Sequence, residues 1–174
     1  MKRLALMFVL QLFSQLAVAG NIADVFSEGI FGVKWGSAIE EVEKAFPGGV
    51  TETQVGITTY AIQDGRTLFG VQREDSNSIR FSFDSNGEMN GVSIEFPLNA
   101  IDDYGVLFTK LNTVFGRGED APNSLGVHVV KWPEDQGITI SLMHLPGVLG
   151  IGDLLFGIEH RPEPSGVSKG DLGF

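Results

Sequence analysis

The sequence predicts an α+β fold in which one antiparallel sheet of about seven strands carries two amphipathic helices on one face. Two segments repeat their apolar residues every three or four positions, which is typical of a helix with one buried side. Seven short segments are rich in β-branched, aromatic and aliphatic residues, which is typical of strands. Because most turns between these strands are short, they pair antiparallel, and the helices cover the apolar face of their sheet.

The two predicted helices have recognisable ends. The first begins with the Ser-x-x-Glu pattern of residues 37–40, in which the two side chains cap free amides of the first turn. It ends at Pro47-Gly48-Gly49. The second begins at Asn99 and ends at Gly116. Their apolar sides consist of Ile39, Val42 and Phe46 in the first helix and of Ile101, Tyr104, Leu107, Phe108, Leu111 and Phe115 in the second.

Four strands are expected after the first helix. Thr58–Ile62 and Thr67–Val71 flank Asp64-Gly65, a turn signal that predicts a hairpin with Tyr60 opposite Phe69. The next two strands are expected over residues 79–83 and 92–96. Met89 is out of phase with the alternation of the second of these, so we expect a bulge near Asn90-Gly91.

Three further strands follow the second helix, over Val127–Trp132, Ile138–His144 and Leu154–His160. The order is therefore a helix and four strands, then a helix and three strands, which predicts a duplicated module. With both helices on one face, the other face of the sheet is left to solvent or to a partner.

The N-terminal segment has the pattern of a secretory signal peptide. Lys2 and Arg3 precede the apolar run Leu4–Leu10, and Ala17-Val18-Ala19 places small residues before a cleavage site. The apolar segment is shorter than the roughly 20 residues that span a bilayer. We therefore expect residues 1–19 to be a cleaved signal peptide, residues 20–160 one α+β domain, residues 161–174 a flexible tail, and the protein to reach the periplasm or the medium without an integral membrane span.

The charge of the chain disfavours some classes of partner, and its cysteine content bears on how the fold is stabilised. The chain has 12 basic and 22 acidic residues and a net charge of −10, which opposes binding to nucleic acid and to anionic lipid. It has no cysteine, so its core must hold the fold without disulfides.

Short motifs resemble the tandem α-β-β proteins that include the β-lactamase-inhibitor protein and the BamE (SmpA/OmlA) outer-membrane assembly lipoproteins. Gly36 to Val42, with Phe46-Pro47-Gly48, is similar to the helix module of that group, and Leu111 to Gly116 is similar to its second helix ending. Phe83 to Met89 is similar to the strand–turn–strand that follows. The resemblance implies a non-enzymatic periplasmic binding or assembly module. The lipidation cysteine and the disulfides of those relatives are absent.

The sequence supplies no catalytic, cofactor-binding or metal-binding motif. His128 and His144 are expected on one face, diagonal to each other and about 7 Å apart, without a third ligand. Polar positions at the ends of buried strands explain these two histidines better than a metal site does. Trp35 is expected to fill the space between the start of the first helix and the sheet edge. A secreted enzyme or a small-ligand carrier without a local motif remains the alternative function.

The outer face of the predicted sheet is the candidate binding surface. A hairpin closed by residues 133–137 pairs Trp132 with Ile138 and Val127 with Met143, and the last strand then pairs Leu155 with Met143. This predicts an outward apolar row formed by Val127, Met143 and Leu155, with Val129 and Lys131 beside it. Its expected partner is an envelope protein or a second copy of the chain, although the row can also be an ordinary exposed surface or be covered by one of the termini.

Overall fold

The computed structural model describes residues 21–97, 101–121, 127–145 and 153–161. Within these residues lie three helices, α1 (Ile22–Phe26), α2 (Ile39–Ala45) and α3 (Ile101–Phe115). Its strands are β1 (Val50–Gln54), β2 (Ile57–Gln63), β3 (Ser78–Phe83), β4 (Met89–Phe96), β5 (Glu119–Asp120), β6 (His128–Lys131), β7 (Ile138–Leu145) and β8 (Asp153–His160). The predicted signal peptide, the expected helix start at Asn99 and nearly all of the predicted tail lie outside the described residues.

The α+β class and the antiparallel sheet are confirmed, and the sheet has eight strands instead of about seven. Their order is β1-β2-β3-β4-β8-β7-β6-β5, and every neighbouring pair is antiparallel. The pairing of β4 with β8 joins two runs of four strands, and β1 and β5 form the two edges.

One face of the sheet carries the hydrophobic core. Along the middle of the sheet, Tyr60 lies opposite Phe81, Phe81 opposite Val92, Val92 opposite Ile158, and Ile158 opposite Ile140. Since directly paired residues point to the same side, this row is one apolar surface, and all five residues are buried. The same core includes side chains from all three helices, namely Ile22, Ala23, Phe26, Val42, Leu107, Leu111 and Phe115.

The first predicted helix is confirmed as α2, which begins at Ile39, but its predicted capping box at residues 37–40 is not. Ala38 is the residue before α2, and no side chain caps the helix. The Ser37 carbonyl accepts a 2.9 Å hydrogen bond from the Met89 amide, and Ala38 bridges Glu88. Residues 37 and 38 are therefore paired with the start of β4, and Ser37 does not cap α2. Val42 is fully buried as expected, and Ile39 and Phe46 pack against the core.

The predicted hairpin at Asp64-Gly65 is wrong. Tyr60 faces Phe81 and Thr51 across the sheet, not Phe69, because β2 pairs with β3 and β1. Residues 67–71 form a tight turn in which Leu68 and Val71 bridge each other, with Phe69 and Gly70 at positive φ. Phe69 packs against Phe96 and Phe156, so this loop closes part of the core.

The loop between β2 and β3 is fixed by a buried arginine. The Arg73 guanidinium donates to the carbonyls of Glu95 at 2.7 Å and Ser78 at 2.9 Å, and to an Asp64 carboxylate oxygen at 3.2 Å. It also lies 5.7 Å from the centre of the Phe96 ring. The Asp64 carboxylate also accepts a hydrogen bond from Arg66. Asp64, which was expected in a hairpin turn, is therefore bound between two arginines.

The predicted bulge is confirmed, and the register of the β6–β7 hairpin is wrong by two residues. Ser82 pairs with Gly91 and Phe83 with Met89, which leaves Asn90 as the extra residue. In the hairpin, the Trp132 amide donates to the Ile140 carbonyl, where Ile138 was expected. A shift of two keeps each side chain on its predicted face. None of the described helices has the length and apolar character needed to cross a membrane.

Candidate functional site

The predicted outer row changes one member in the structure. Val129, and not Val127, lies opposite Met143, and Leu155 lies opposite Met143 as predicted. Val127 precedes the first residue of β6, and Lys131 lies opposite Ser141. Val129, Met143 and Leu155 are all half-buried and Lys131 is exposed. We refer to Val129, Met143 and Leu155 as the outer row.

A surface depression of about 400 Å³ borders the outer row at Met143. Its floor is built from small side chains on β3, β4, β8 and β7, namely Ser82, Gly91, Ser93, Gly157 and Ser141. Ser93, Gly157 and Ser141 are neighbours across three strands, and a Cβ atom added to Gly157 would lie 2.9 Å from the Ser141 Oγ. A larger residue there would therefore crowd the floor.

The β1–β2 hairpin lies at one side of this depression. Its turn residues are Val55 and Gly56, at φ of 51° and 79°, and Gly56 and Ile57 line the depression. Val55 is completely exposed, and Val50 and Ile57 are more than half exposed. A β-branched residue at positive φ is strained, and an apolar one at a hairpin tip gains nothing from burial. Three of the six large, exposed hydrophobic residues found in the described chain therefore belong to one hairpin.

Charged groups around the depression are paired weakly. Arg161 bonds to Glu159 at 2.8 Å, with both side chains largely exposed. Arg80 and Glu52 lie 3.9 Å apart and are each half exposed. Exposed pairs of this kind contribute about 0–1 kcal/mol, so these side chains can exchange partners at little cost.

Two of the three histidines lie at the far end of the sheet from the hairpin. His128 and His144 are directly opposite each other, where a diagonal arrangement was expected. His128 Nδ1 lies 2.9 Å from the Tyr104 hydroxyl, and its Nε2 lies 2.9 Å from an Asp120 oxygen. Because a carboxylate only accepts, Nε2 is the donor, and in the neutral ring Nδ1 accepts from Tyr104. These two hydrogen bonds link α3 to β5 and β6.

The electrostatics of this cluster oppose a catalytic tyrosinate. Burial, and after it the negative charge of Asp120, raise the pKa of Tyr104. A tyrosine of this kind stays protonated at neutral pH and is a poor nucleophile. No group of three or more histidine and carboxylate side chains within the described ranges is arranged to hold a metal ion.

Trp35 and the third histidine form a separate contact. The Trp35 indole stacks on the His160 ring at 5.4 Å, and its Nε1 donates to the Phe26 carbonyl at 2.6 Å. Burial lowers the pKa of His160. Trp35 thus packs between the end of α1 and the end of β8. This agrees with a structural role, but β8 is a central strand and not the sheet edge that was expected.

Sequence reasoning missed the β1–β2 hairpin and the floor of the depression. β1 has no buried residue and no clear alternation of apolar and polar residues, so periodicity gives it no signal. The Val55-Gly56 turn lacks the usual Asn-Gly or Asp-Gly pair. The floor residues come from four strands and meet only once the register is known. Comparisons with protein-family profiles, curated proteins and solved structures each find no match to this chain, so its resemblance to the BamE group stays a prediction.

Proposed function

We propose that this chain is an exported, non-enzymatic binding or assembly module that acts in the periplasm or outside the cell through a protein partner. The observation that supports this most is the outer row beside the depression, on the face of the sheet opposite the core. An open apolar surface of this kind suits the side chains of another protein. The signal-peptide pattern and the strongly acidic composition agree with an exported protein that avoids nucleic acid and anionic lipid.

The element order supports a duplicated architecture with all helices on the core face. Each half would consist of helical segments followed by four strands, β1–β4 in one and β5–β8 in the other, joined at β4 and β8. Since helix side chains and inner-face strand residues belong to one core, this arrangement leaves the opposite face for a partner.

The test compares envelope proteins captured by the wild-type chain with those captured by Met143→Glu. The substitution puts a charge into the middle of the outer row and should abolish capture of a specific protein. Because Met143 is only half-buried, the melting temperature should change little. Val106→Glu on α3 is a matched control, since Val106 is an exposed apolar residue on another element.

Equal capture by wild type, Met143→Glu and Val106→Glu would contradict a role of the outer row. Unfolding of Met143→Glu would show that this side chain contributes to stability, and Leu155→Ser would then replace it in the same comparison.

A further inference from the structure

The strand β1 is an edge of the sheet whose outer backbone groups can be assigned. Its turn has two residues, so Gln54 and Ile57 form the closing hydrogen-bonded pair of the hairpin. Hydrogen-bonded pairs alternate along an antiparallel ladder, which makes Glu52–Thr59 and Val50–Ala61 the next ones. The N–H and C=O groups of Thr51 and Thr53 therefore point away from β2.

The edge is also open around these groups. All five residues of β1 are exposed, and in the part of the chain that the structure describes β1 pairs with β2 alone. The side chains of the two threonines bond inward, with Thr51 Oγ1 donating to Glu43 at 3.2 Å and Thr53 Oγ1 lying 3.1 Å from Thr58 Oγ1. An extended strand could therefore approach without displacing either side chain.

The charges beside the edge are carboxylates on both faces of the sheet. Glu43 reaches Thr51 from α2, and Glu52 lies on the other face, since β1 side chains alternate. Arg80 is a cation near this edge, and its 3.9 Å contact with half-exposed Glu52 neutralises that carboxylate weakly. With a net charge of −10 on the whole chain, the edge favours a positively charged partner.

A second copy of this chain fits the edge badly. Symmetric antiparallel pairing of two β1 strands through all the outward groups sets Thr51 against Thr53 of the other copy, and Glu52 against Glu52. Like charges directly opposite each other destabilise a strand pair. A lysine or arginine at that position of a different strand would instead face Glu52.

We propose that β1 accepts an extended, positively charged segment of another protein as a ninth strand, with a basic residue opposite Glu52. Main-chain hydrogen bonds to Thr51 and Thr53 would provide affinity, and Glu52 would provide register and selectivity. This edge lies apart from the outer row, so the inference does not require that the outer row binds anything.

The first experiment titrates the purified chain with the synthetic peptide acetyl-KTVTKTVTK-amide and follows backbone amides by nuclear magnetic resonance. The peptide should slow hydrogen exchange of the Thr51 and Thr53 amides and shift their resonances. The acidic peptide acetyl-ETVTETVTE-amide should bind at least about tenfold more weakly at low salt, which corresponds to about 1.4 kcal/mol. Equal binding of both peptides, or protection elsewhere than at β1, would overturn the proposal.

Variants of the edge complete the test. Thr53→Pro removes an outward N–H without breaking the β1–β2 ladder, because proline is tolerated on an edge strand where the N–H faces solvent. It should weaken binding of the basic peptide about tenfold. Thr53→Ala, which keeps the amide, should bind within about twofold of wild type, a spread below about 0.5 kcal/mol. Glu52→Lys should reverse the preference between the two peptides. If Thr53→Pro misfolds, the test rests on Glu52→Lys and on the amide exchange of the wild-type chain. An unchanged preference of Glu52→Lys for the basic over the acidic peptide would refute the proposal.

Met143→Glu separates this inference from the proposed function. That variant should bind the basic peptide as wild type does, because Met143 is on β7 and far from the edge in strand order. Loss of envelope capture with intact peptide binding would support both proposals. Retained capture with intact peptide binding would contradict the proposed function alone, and loss of peptide binding in the folded variant would contradict the inference about β1 alone.

Discussion

Arg73 is buried, although arginine side chains usually lie at the surface. Its side chain is completely buried, yet it is a cation bonded to two backbone carbonyls and to Asp64. Burial lowers the pKa of Arg73 and the neighbouring Asp64 opposes this effect, but a guanidinium remains charged in proteins. The side chain thus holds the loop between β2 and β3 against the end of β4.

Arg73→Met should destabilise the protein by about 3–5 kcal/mol, because it leaves the Asp64 carboxylate and two carbonyls without their buried partner. Urea melts measure the loss. Arg66→Met is the matched control, since Arg66 bonds to the same carboxylate from a half-exposed position and its loss should cost less than about 1 kcal/mol. Similar losses in the two variants would mean that the guanidinium of Arg73 has no special role.

Among the elements, the β1–β2 hairpin has a turn sequence that does not suit its conformation. Val55 occupies a turn position at positive φ, where asparagine and glycine are preferred. A β-branched side chain in this conformation costs on the order of 1–2 kcal/mol. The sheet tolerates the strain because β2 is held independently by its pairing with β3.

Val55→Asn should therefore stabilise the protein by about 1 kcal/mol, since asparagine tolerates the left-handed conformation. A rise in the melting temperature would check this. Val50→Asn gives a matched comparison on the same hairpin, because Val50 is exposed in a regular strand and should gain nothing. A stabilisation shared by both variants would point to lower surface hydrophobicity and not to the turn.

The elements that sequence could predict are those whose patterns reflect burial. The alternation of Ile79, Phe81 and Phe83 placed β3 on the correct face, and the phase of Met89 located the bulge opposite it. Asp64-Gly65 has the local form of a hairpin turn, but the Asp64 side chain instead accepts hydrogen bonds from its neighbour Arg66 and from the buried Arg73. The register of β6 against β7 escaped prediction because a shift of two residues preserves the face of each side chain. The pairing of Met143 with Leu155 was therefore predicted, while the pairing of Val129 with Met143 and the depression beside them were not.

At the scale of the whole molecule, two groups should make stability depend on pH as the solution becomes acidic. Burial lowers the pKa of His160 below its ordinary value of 6.5. Burial acts to raise the pKa of Asp64, but hydrogen bonds and charge from Arg66, together with Arg73, outweigh it and lower the pKa below 3.8. In both cases the unfolded chain binds a proton more readily than the folded one, so acid favours unfolding.

The contribution of His160 should be complete above about pH 6.5 and should be lost as the pH falls through its lowered folded-state value. His160→Phe keeps an aromatic ring against Trp35 but does not titrate. Urea melts between pH 8 and pH 5, about the range in which histidine changes charge, should therefore show a smaller loss of stability in the variant than in wild type. Parallel curves for the two proteins would contradict this assignment.

The contacts of α1 with Asp135, just before β7, and with α3 join distant parts of the chain. The Ala23 amide donates to the Asp135 carboxylate across 112 residues, and Phe26 lies 5.8 Å from Phe115. The first described helix thus completes its contacts only after most of the chain has become available. Contacts of such sequence separation slow folding. Under the proposed export from the N-terminus, these contacts of α1 would be completed only after Asp135 has reached the far side of the membrane.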